Sequence, residues 1–173
     1  VMDAVIRQVP CQVMLVKWAN NQIPDDPQTD GNFNIATCPV LAWRRWLVPV
    51  RDTLEHSVAV QLLPALTKLS LSPHIRLCRV VKTELSQQEI RDFQQASQYL
   101  SHRLNTDVIF TSVCSNFVSE AVINLAEQDQ CDVIVLGASR EGMLRQVIQG
   151  NIPEAIAKNC HCTVILVRPE LQQ

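Results

Sequence analysis

Short apolar runs alternate along the chain with longer segments in which apolar residues recur every three or four positions. The runs have the length and the β-branched content of strands, and the longer segments have the period of amphipathic helices. Because the runs are apolar on both faces, they predict an α/β fold, with an open parallel sheet covered by helices on both sides. The predicted strands span residues 46–50, 74–81, 107–113, 133–136 and 163–167, and the predicted helices span residues 54–69, 87–103, 116–129 and 152–159.

Two local signals refine this pattern. Ser86 is followed three residues later by Glu89, the capping-box spacing that predicts the start of a helix. Pro64 falls inside the helix predicted over 54–69 and should kink it, because proline lacks the N–H that bonds to the preceding turn.

Residues 1–17 repeat residues 152–168 at an offset of 151 positions, with five identical pairs, such as Cys11/Cys162, and seven conservative ones. We interpret residues 1–18 as the C-terminal helix and strand of a preceding copy, 19–42 as a linker and 43–173 as a complete domain. The chain begins at Val1 inside the predicted helix, and we therefore expect it to be part of a longer protein. One helix and one strand cannot bury their apolar faces alone, so strand 12–16 should join the layer that contains 163–167.

The composition narrows the class of protein. Apolar residues make up 47% of the chain, enough for a packed core, and the net charge is −2 without a basic stripe, which argues against a nucleic-acid partner. No apolar stretch reaches the roughly 20 residues of a membrane span. The chain has seven cysteines, an odd number, and most of them lie in apolar runs. They indicate reduced thiols packed as small apolar side chains in the cytosol rather than a disulfide framework.

The candidate binding site lies after the fourth strand of the predicted domain, because ligands of open α/β sheets bind at the carboxyl ends of the strands. Gly137 ends that strand, and Gly150 precedes Asn151, a good N-cap for the helix over 152–159. Free N–H groups at the start of that helix can hold a phosphate. The alternative is that Gly137, Gly150 and Asn151 only supply the turn and the cap that any strand-to-helix connection needs.

Residues 131–169 resemble the C-terminal third of universal stress proteins, and residues 46–63 resemble their first strand and helix. The resemblance implies a five-stranded parallel sheet in the order 3-2-1-4-5 and dimerisation through the last strand. Members that bind ATP carry three spaced glycines and then a Ser or Thr after the fourth strand, together with an Asp after the first strand.

The candidate site departs from that motif at three positions. Gly137 and Gly150 match the first and third glycines, but Arg140 stands at the second and Asn151 at the Ser or Thr. Arg51 occupies the position of the Asp, with Asp52 one place late. An arginine adds a side chain where the phosphate must approach the backbone, although its guanidinium can also pair with phosphate. We therefore expect that the chain binds no cofactor or binds ATP only weakly. The residues of this degenerate phosphate loop would be Gly137, Arg140, Gly150 and Asn151.

The wording of residues 136–168 also resembles the stress-protein-like modules that are fused, often in tandem, to the cytosolic C-termini of bacterial transporters, above all CLC-type chloride channels. This resemblance implies a non-enzymatic regulatory or assembly module at the cytoplasmic face of the membrane, itself soluble. Its partners would be the transmembrane part of the parent protein and a second stress-protein unit, as a homodimer or a tandem pseudo-dimer through the last strand. The alternative is a stand-alone, nucleotide-binding universal stress protein.

Other groups of chemistry-bearing residues have simpler explanations. Cys160, His161 and Cys162 are metal-capable, but adjacent ligands on a helix-to-strand turn should converge poorly, so no metal site is expected. His56 falls at the solvated start of a helix, and Ser139 lacks the spacing of a nucleophile elbow. No catalytic residues are predicted. A compact aromatic–basic cluster precedes the first strand of the domain, where it should cap an open sheet edge or form a docking patch: Trp43, Arg44, Arg45 and Trp46.

Overall fold

The computed structural model describes residues 13–19, 43–51, 53–137 and 152–168. Within these ranges the chain forms six strands and four α-helices. None of the helices there combines the length and apolar character that crossing a membrane requires. The strands are β1 Val13–Lys17, β2 Arg45–Pro49, β3 His74–Val81, β4 Val108–Cys114, β5 Val133–Gly137 and β6 Thr163–Arg168; the helices are α1 Val58–Leu66, α2 Gln87–Leu104, α3 Val118–Gln128 and α4 Ile152–Asn159.

All six strands belong to one sheet in the order β1-β6-β5-β2-β3-β4. Strands β2 to β6 run parallel, so the domain has the expected order 3-2-1-4-5. The sheet is nevertheless mixed and has six strands rather than five, because β1 adds to β6 in the antiparallel direction. The predicted strand over 12–16 in the same layer as 163–167 is thus confirmed, one residue displaced. The helix predicted before it and the linker from residue 20 onward lie outside the described residues.

Two apolar cores lie on opposite faces of the sheet. Helices α1 and α2 cover one face, where Trp46, Leu63 and Ile165 are almost completely buried. Helices α3 and α4 cover the other face, over Leu47 and Ile134. Neighbouring residues of β2 therefore belong to different cores, which explains why the central strands are apolar at successive positions rather than at alternate ones.

Strand β4 departs from the predicted two-sided burial. It forms the edge of the sheet next to β3. Val108 is buried under α2, whereas Ile109 on the opposite face is 49% exposed. The prediction was wrong for this strand because an apolar β-branched run reports strand propensity and does not specify which face a helix covers.

The start of α2 follows the capping-box prediction. The Ser86 side chain accepts a hydrogen bond from the backbone N–H of Glu89, and the Glu89 carboxylate accepts one from the backbone N–H of Ser86. The bond from the Ser86 backbone N–H and a second one from the Ser86 hydroxyl to the same carboxylate lower the pKa of Glu89. Two buried apolar residues, Phe93 and Leu100, hold the helix against the sheet. The C-cap is Asn105, which has the left-handed backbone (φ 50°) common at helix C-termini.

The helix predicted as one element over 54–69 is divided. A 3-10 turn at Leu54–His56 comes first, then Ser57 caps α1, and a second 3-10 turn follows at Thr67–Leu69. Pro64 lies inside α1, which ends two residues later. The division arises from cap chemistry, because Ser57 has an extended backbone and its hydroxyl accepts a hydrogen bond from the N–H of Val60 (3.4 Å).

The aromatic–basic cluster over residues 43–46 does not cap an edge of the sheet, and its two tryptophans are not exposed for docking. Trp43 and Trp46 are 2% and 1% exposed and belong to the core under α1, and the cluster leads into the central strand. The Trp46 indole N–H donates to the carbonyl oxygen of Trp43 at 3.0 Å. The Arg44 and Arg45 backbone N–H groups both donate to the Asp132 carboxylate at 2.8 Å, which ties the start of β2 to that of β5.

Three residues at and just after the end of β1 hold this strand against the domain. The Lys17 ammonium donates to the carbonyl oxygen of Cys160, just after α4, at 2.7 Å. Trp18 packs on Trp43 with ring centroids 5.6 Å apart, and the buried backbone N–H of Ala19 donates to the Thr163 hydroxyl at 3.2 Å. The segment from 13 to 19 is therefore attached by these contacts as well as by the strand pairing of β1 with β6.

The β1–β6 register has the symmetry of the sequence repeat. Leu15 pairs with Leu166, which occupies the same position of the second copy. Met14 pairs with Val167, the equivalent of Val16, and Val16 in turn pairs with the equivalent of Met14. The two strands thus meet about a pseudo-two-fold axis through the Leu15/Leu166 pair, which is the arrangement of identical patches in an isologous contact.

We expect Ser86→Ala to lower the free energy of unfolding by about 1 kcal/mol, because the N–H of Glu89 loses its acceptor. Urea denaturation followed by circular dichroism measures this loss. The matched control is Gln95→Ala on the exposed side of α2, which should change stability by less than about 0.5 kcal/mol. Equal effects of the two substitutions would show that the cap does not stabilise α2.

Candidate functional site

The carboxyl edge of the sheet contains the part of the candidate site that the structure describes. Strands β2 and β5 are neighbours, with Trp46 opposite Val133. Their carboxyl ends therefore lie side by side at the point where the strand order reverses, the usual ligand crevice of this architecture. Gly137 ends β5 and the exposed Arg51 follows β2. Of the other predicted site residues, Arg140, Gly150 and Asn151 lie outside the described residues, as does Asp52.

Gly137 has a steric role at this edge. A Cβ atom added to Gly137 would lie 3.0 Å from Cγ1 of Val58 and 3.3 Å from the backbone nitrogen of Ala59. Both contacts are with the first turn of α1, so the glycine lets that helix pack directly against the end of β5. This requirement is sufficient to explain the glycine without a ligand.

His56 lies beside the same edge in the turn before α1. Its Nδ1 atom is 2.6 Å from the Thr53 hydroxyl, and His56 and Glu55 are both exposed. The contact is local to the turn, as expected for the solvated start of a helix.

A cleft of about 310 Å³ that the sequence did not predict lies at the opposite, amino-terminal edge of the sheet. Two pairs of titratable groups lie in its lining. Arg76 Nε is 2.6 Å from the Asp129 carboxylate, and His74 Nδ1 is 3.4 Å from that of Asp107. Arg45 also lines the cleft, and its guanidinium donates to the side-chain oxygen of Gln130 at 3.0 Å.

The turn between α4 and β6 brings two thiols together. The Sγ atoms of Cys160 and Cys162 are 2.9 Å apart, and the two residues are only 5% and 9% exposed. The expectation that the side chains of this motif converge poorly was therefore wrong for the two sulfurs, although His161 between them is exposed. The spacing of the residues does not specify the backbone direction in a helix-to-strand turn, and here that direction brings the two sulfurs together. Across the described ranges, no group of three or more His, Cys, Asp or Glu residues is placed to hold a metal ion.

The surroundings make the two thiols unequal. A hydrogen bond from the Cys162 thiol lowers the pKa of Cys160, and the Lys17 ammonium and His161 act in the same direction. The same hydrogen bond raises the pKa of Cys162, and burial raises it further. Thus Cys160 is the thiol that ionises first.

The other two buried or half-buried thiols near the sheet are held in the neutral form. Burial raises the pKa of Cys78 to about 11 and that of Cys131 to about 12. Because the thiolate is the nucleophile, these cysteines are far less reactive at neutral pH than a thiol with a lowered pKa.

We expect Gly137→Ala to lower the free energy of unfolding by about 1–3 kcal/mol, because the new methyl group meets the first turn of α1. Thermal and urea unfolding of the four members of a double-mutant cycle with Val58→Ala measure the effect. Removing Cγ1 of Val58 should relieve part of the clash, so the double mutant should be more stable than the sum of the single effects predicts. Strict additivity would show that the Gly137–Val58 approach is not the constraint.

Known proteins with similar sequences or similar folds are universal stress proteins. The model of the universal stress protein family matches residues 42–168. A universal stress protein of Methanocaldococcus jannaschii is 28% identical over 60 residues, which are 35% of each chain. A crystal structure of a universal stress protein from Archaeoglobus fulgidus superposes with a TM-score of 0.57 at 13% identity, over 73% of this chain and 44% of that one. The chain thus spans about a third of that curated relative and less than half of that structure.

Two further structures carry nucleotides. A universal stress protein in complex with cAMP superposes with a TM-score of 0.57 at 15% identity, covering 75% of this chain and all of that one. One from Archaeoglobus fulgidus in complex with dAMP gives 0.50 at 9% identity, covering 73% and 99%. At such identities the superpositions establish the fold alone. The family model spans well over half of the residues, and the chain belongs to the universal stress protein family.

Proposed function

We propose that this chain is a non-enzymatic regulatory or assembly module of a larger membrane transport protein, most concretely the cytosolic tail of a CLC-type chloride channel. In this proposal residues 1–18 end a preceding stress-protein-like copy, 19–42 link the copies and 43–173 form the second copy. The observation that carries the assembly role is the two-fold register of β1 on β6. The attachment to a channel rests on the resemblance of residues 136–168 alone.

The burial of equivalent residues supports a preceding copy. Met14 is 49% exposed and Val16 is 36% exposed, and both lie on the face of the sheet that α1 covers. Their equivalents in the second copy, Ile165 and Val167, are 1% and 0% exposed because α1 and its neighbours lie above them. A preceding copy would supply the corresponding helix over Met14 and Val16, and the same sheet would then continue through both copies.

An edge strand needs such cover. An unpaired edge with apolar side chains is a template for association, and natural proteins cover it or break it. In the described residues β6 already has a partner on both sides, so its edge is not available to a second chain while β1 stays docked. We infer that association of this unit through β6 is intramolecular, as a tandem pseudo-dimer, and that a homodimer through β6 forms only where β1 is displaced.

Nucleotide binding is expected to be weak. Arg51 stands where family members that bind ATP have an acid, and Arg140 and Asn151 replace a glycine and a hydroxyl residue. Gly137 is accounted for by the packing of α1. The helix start after Asn151 remains as an attraction for a small anion, which is insufficient for nucleotide recognition.

A stand-alone nucleotide-binding universal stress protein is the second candidate. The observation that favours it is that structures with the same fold were solved in complex with cAMP and dAMP. It requires a free nucleotide to be held at the carboxyl edge between β2 and β5 despite the three replacements.

The assembly role predicts different effects for two neighbouring residues of β1. Leu15→Lys places a charge on the half-buried pseudo-axis and should weaken the docking of β1 by about 1 kcal/mol. Hydrogen exchange at the amides of β1 and β6 should then accelerate by about fivefold to tenfold. Met14→Lys, at the exposed neighbouring position, should leave exchange unchanged in this chain.

The proposal predicts a different result for Met14→Lys in a longer protein that contains the preceding copy. If a preceding copy covers Met14, then Met14→Lys in that protein should lower its melting temperature, whereas the same substitution in the 173-residue chain should not. The reading frame upstream of Val1 should encode the rest of that copy and, before it, membrane spans. A start codon immediately before Val1 would contradict the proposal. So would a melting temperature that Met14→Lys leaves unchanged in the longer protein.

Titration calorimetry with Mg-ATP and with AMP tests the second candidate against the first. We expect a dissociation constant above about 100 µM, which corresponds to only about 5.5 kcal/mol. Restoring the family residues with Arg51→Asp, Arg140→Gly and Asn151→Ser together should strengthen binding by at least about tenfold. Low-micromolar binding by the unaltered chain, abolished by Gly150→Leu, would contradict the proposal and favour the nucleotide-binding protein.

A further inference from the structure

We propose that Cys160 and Cys162 form a redox-active dithiol that closes to an intramolecular disulfide on exposure to a peroxide. The proposal does not depend on the regulatory role proposed above, because it concerns the turn between α4 and β6 rather than the carboxyl edge of the sheet. It starts from the 2.9 Å separation of the two Sγ atoms and from the Lys17 ammonium that contacts the same turn.

The distance favours a disulfide over a metal site. A disulfide bond is about 2.05 Å long, so the sulfurs need to approach by less than about 1 Å. Two thiolates on one zinc ion, each about 2.3 Å from the metal, would lie roughly 3.8 Å apart in tetrahedral geometry. The sulfurs are therefore already closer than a shared metal would hold them, and no third ligand-type side chain joins them among the described residues.

The contacts assign different tasks to the two sulfurs. When Cys160 is ionised, the Cys162 thiol 2.9 Å away donates a hydrogen bond to the thiolate, and the Lys17 ammonium adds a positive charge nearby. Lys17 is anchored there because its ammonium donates to the carbonyl oxygens of Cys160 (2.7 Å) and Cys162 (3.4 Å). The charged or titratable groups that face the pair are thus Lys17 from β1, His161 in the turn and Cys131 before β5. Cys160 is the attacking sulfur and Cys162 the resolving one.

The reaction is balanced with hydrogen peroxide as the oxidant. The Cys160 thiolate attacks one peroxide oxygen, an S–O bond forms and the O–O bond breaks, and the departing hydroxide takes up a proton to give water. Cys162 then attacks the Cys160 sulfur of this sulfenic acid, the S–S bond forms, and the second hydroxide leaves as water with the proton of the Cys162 thiol. Two thiols lose two electrons in total, and one peroxide is reduced to two waters. A small dithiol reductant reverses the change.

The test is peptide mapping of the whole chain by mass spectrometry. The reduced protein is treated with graded hydrogen peroxide, the remaining thiols are blocked with N-ethylmaleimide, and the peptide that contains residues 160–162 is examined. We expect this peptide to be unlabelled and lighter by two hydrogens, and to take up two maleimide groups again after treatment with dithiothreitol. This experiment uses the unaltered protein, so it does not depend on the folding of a variant.

Two variants assign the roles. Cys162→Ser keeps a hydrogen-bond donor for the Cys160 thiolate but removes the resolving sulfur, so Cys160 should accumulate as a sulfenic acid that dimedone labels. The disulfide signal should fall by at least about tenfold in this variant. Cys114→Ser removes an exposed cysteine of β4 and should leave the 160–162 disulfide unchanged. Circular dichroism establishes that both variants are folded.

Three results would overturn the proposal. One is full maleimide labelling of both cysteines after a peroxide treatment that oxidises Cys114. Another is a disulfide that maps to other cysteines while the pair stays reduced. The last is zinc bound at one equivalent that protects both thiols from maleimide in the reduced protein, which would assign the pair to a metal instead.

Discussion

The closure of the β6 edge is the constraint on which the remaining features depend. β6 is apolar on both faces and lies between β5 and β1, so its backbone groups are paired on both sides and its side chains belong to both cores. A parallel strand of this composition left at an open edge would present both backbone groups and apolar area to solvent. Because β1 closes that edge, Trp18 reaches the core beside Trp43 and Lys17 reaches the end of α4.

A second constraint operates where the sheet order reverses. α1 packs so closely on the end of β5 that a side chain at position 137 would meet its first turn. A glycine at the start of a phosphate loop is therefore ambiguous evidence in this fold, since packing and ligand binding both require it.

Most of the fold was accessible from the sequence because its strands and helices have clear periods and flanking caps. Strand β3 and helix α4 have the predicted bounds, and the capping box placed the start of α2. The strand order came from a family resemblance, since periodicity does not specify which strands are neighbours.

The features that could not be predicted from the sequence depend on local backbone conformation or on contacts between distant parts of the chain. The break before α1 depends on the backbone of Ser57, and the one-sided burial of β4 depends on which helix lies above it. The burial of Trp43 and the approach of the Cys160 and Cys162 sulfurs are set by partners that are distant in the chain or by an irregular turn. The candidate site was predicted only as a set of loop residues, of which Gly137 alone lies in the described part.

The hydrogen bond from the Lys17 ammonium to the carbonyl oxygen of Cys160 links two equilibria thermodynamically. This ammonium is carried by β1, yet it stabilises negative charge on Cys160, so the docking of β1 and the chemical state of the thiol are linked equilibria. Linkage is reciprocal: the factor by which docking favours the thiolate is the factor by which the thiolate favours docking. Displacing β1 from the sheet would therefore also raise the proton affinity of the Cys160 sulfur, so strand docking and thiol ionisation would be measured together in any experiment that perturbs either one.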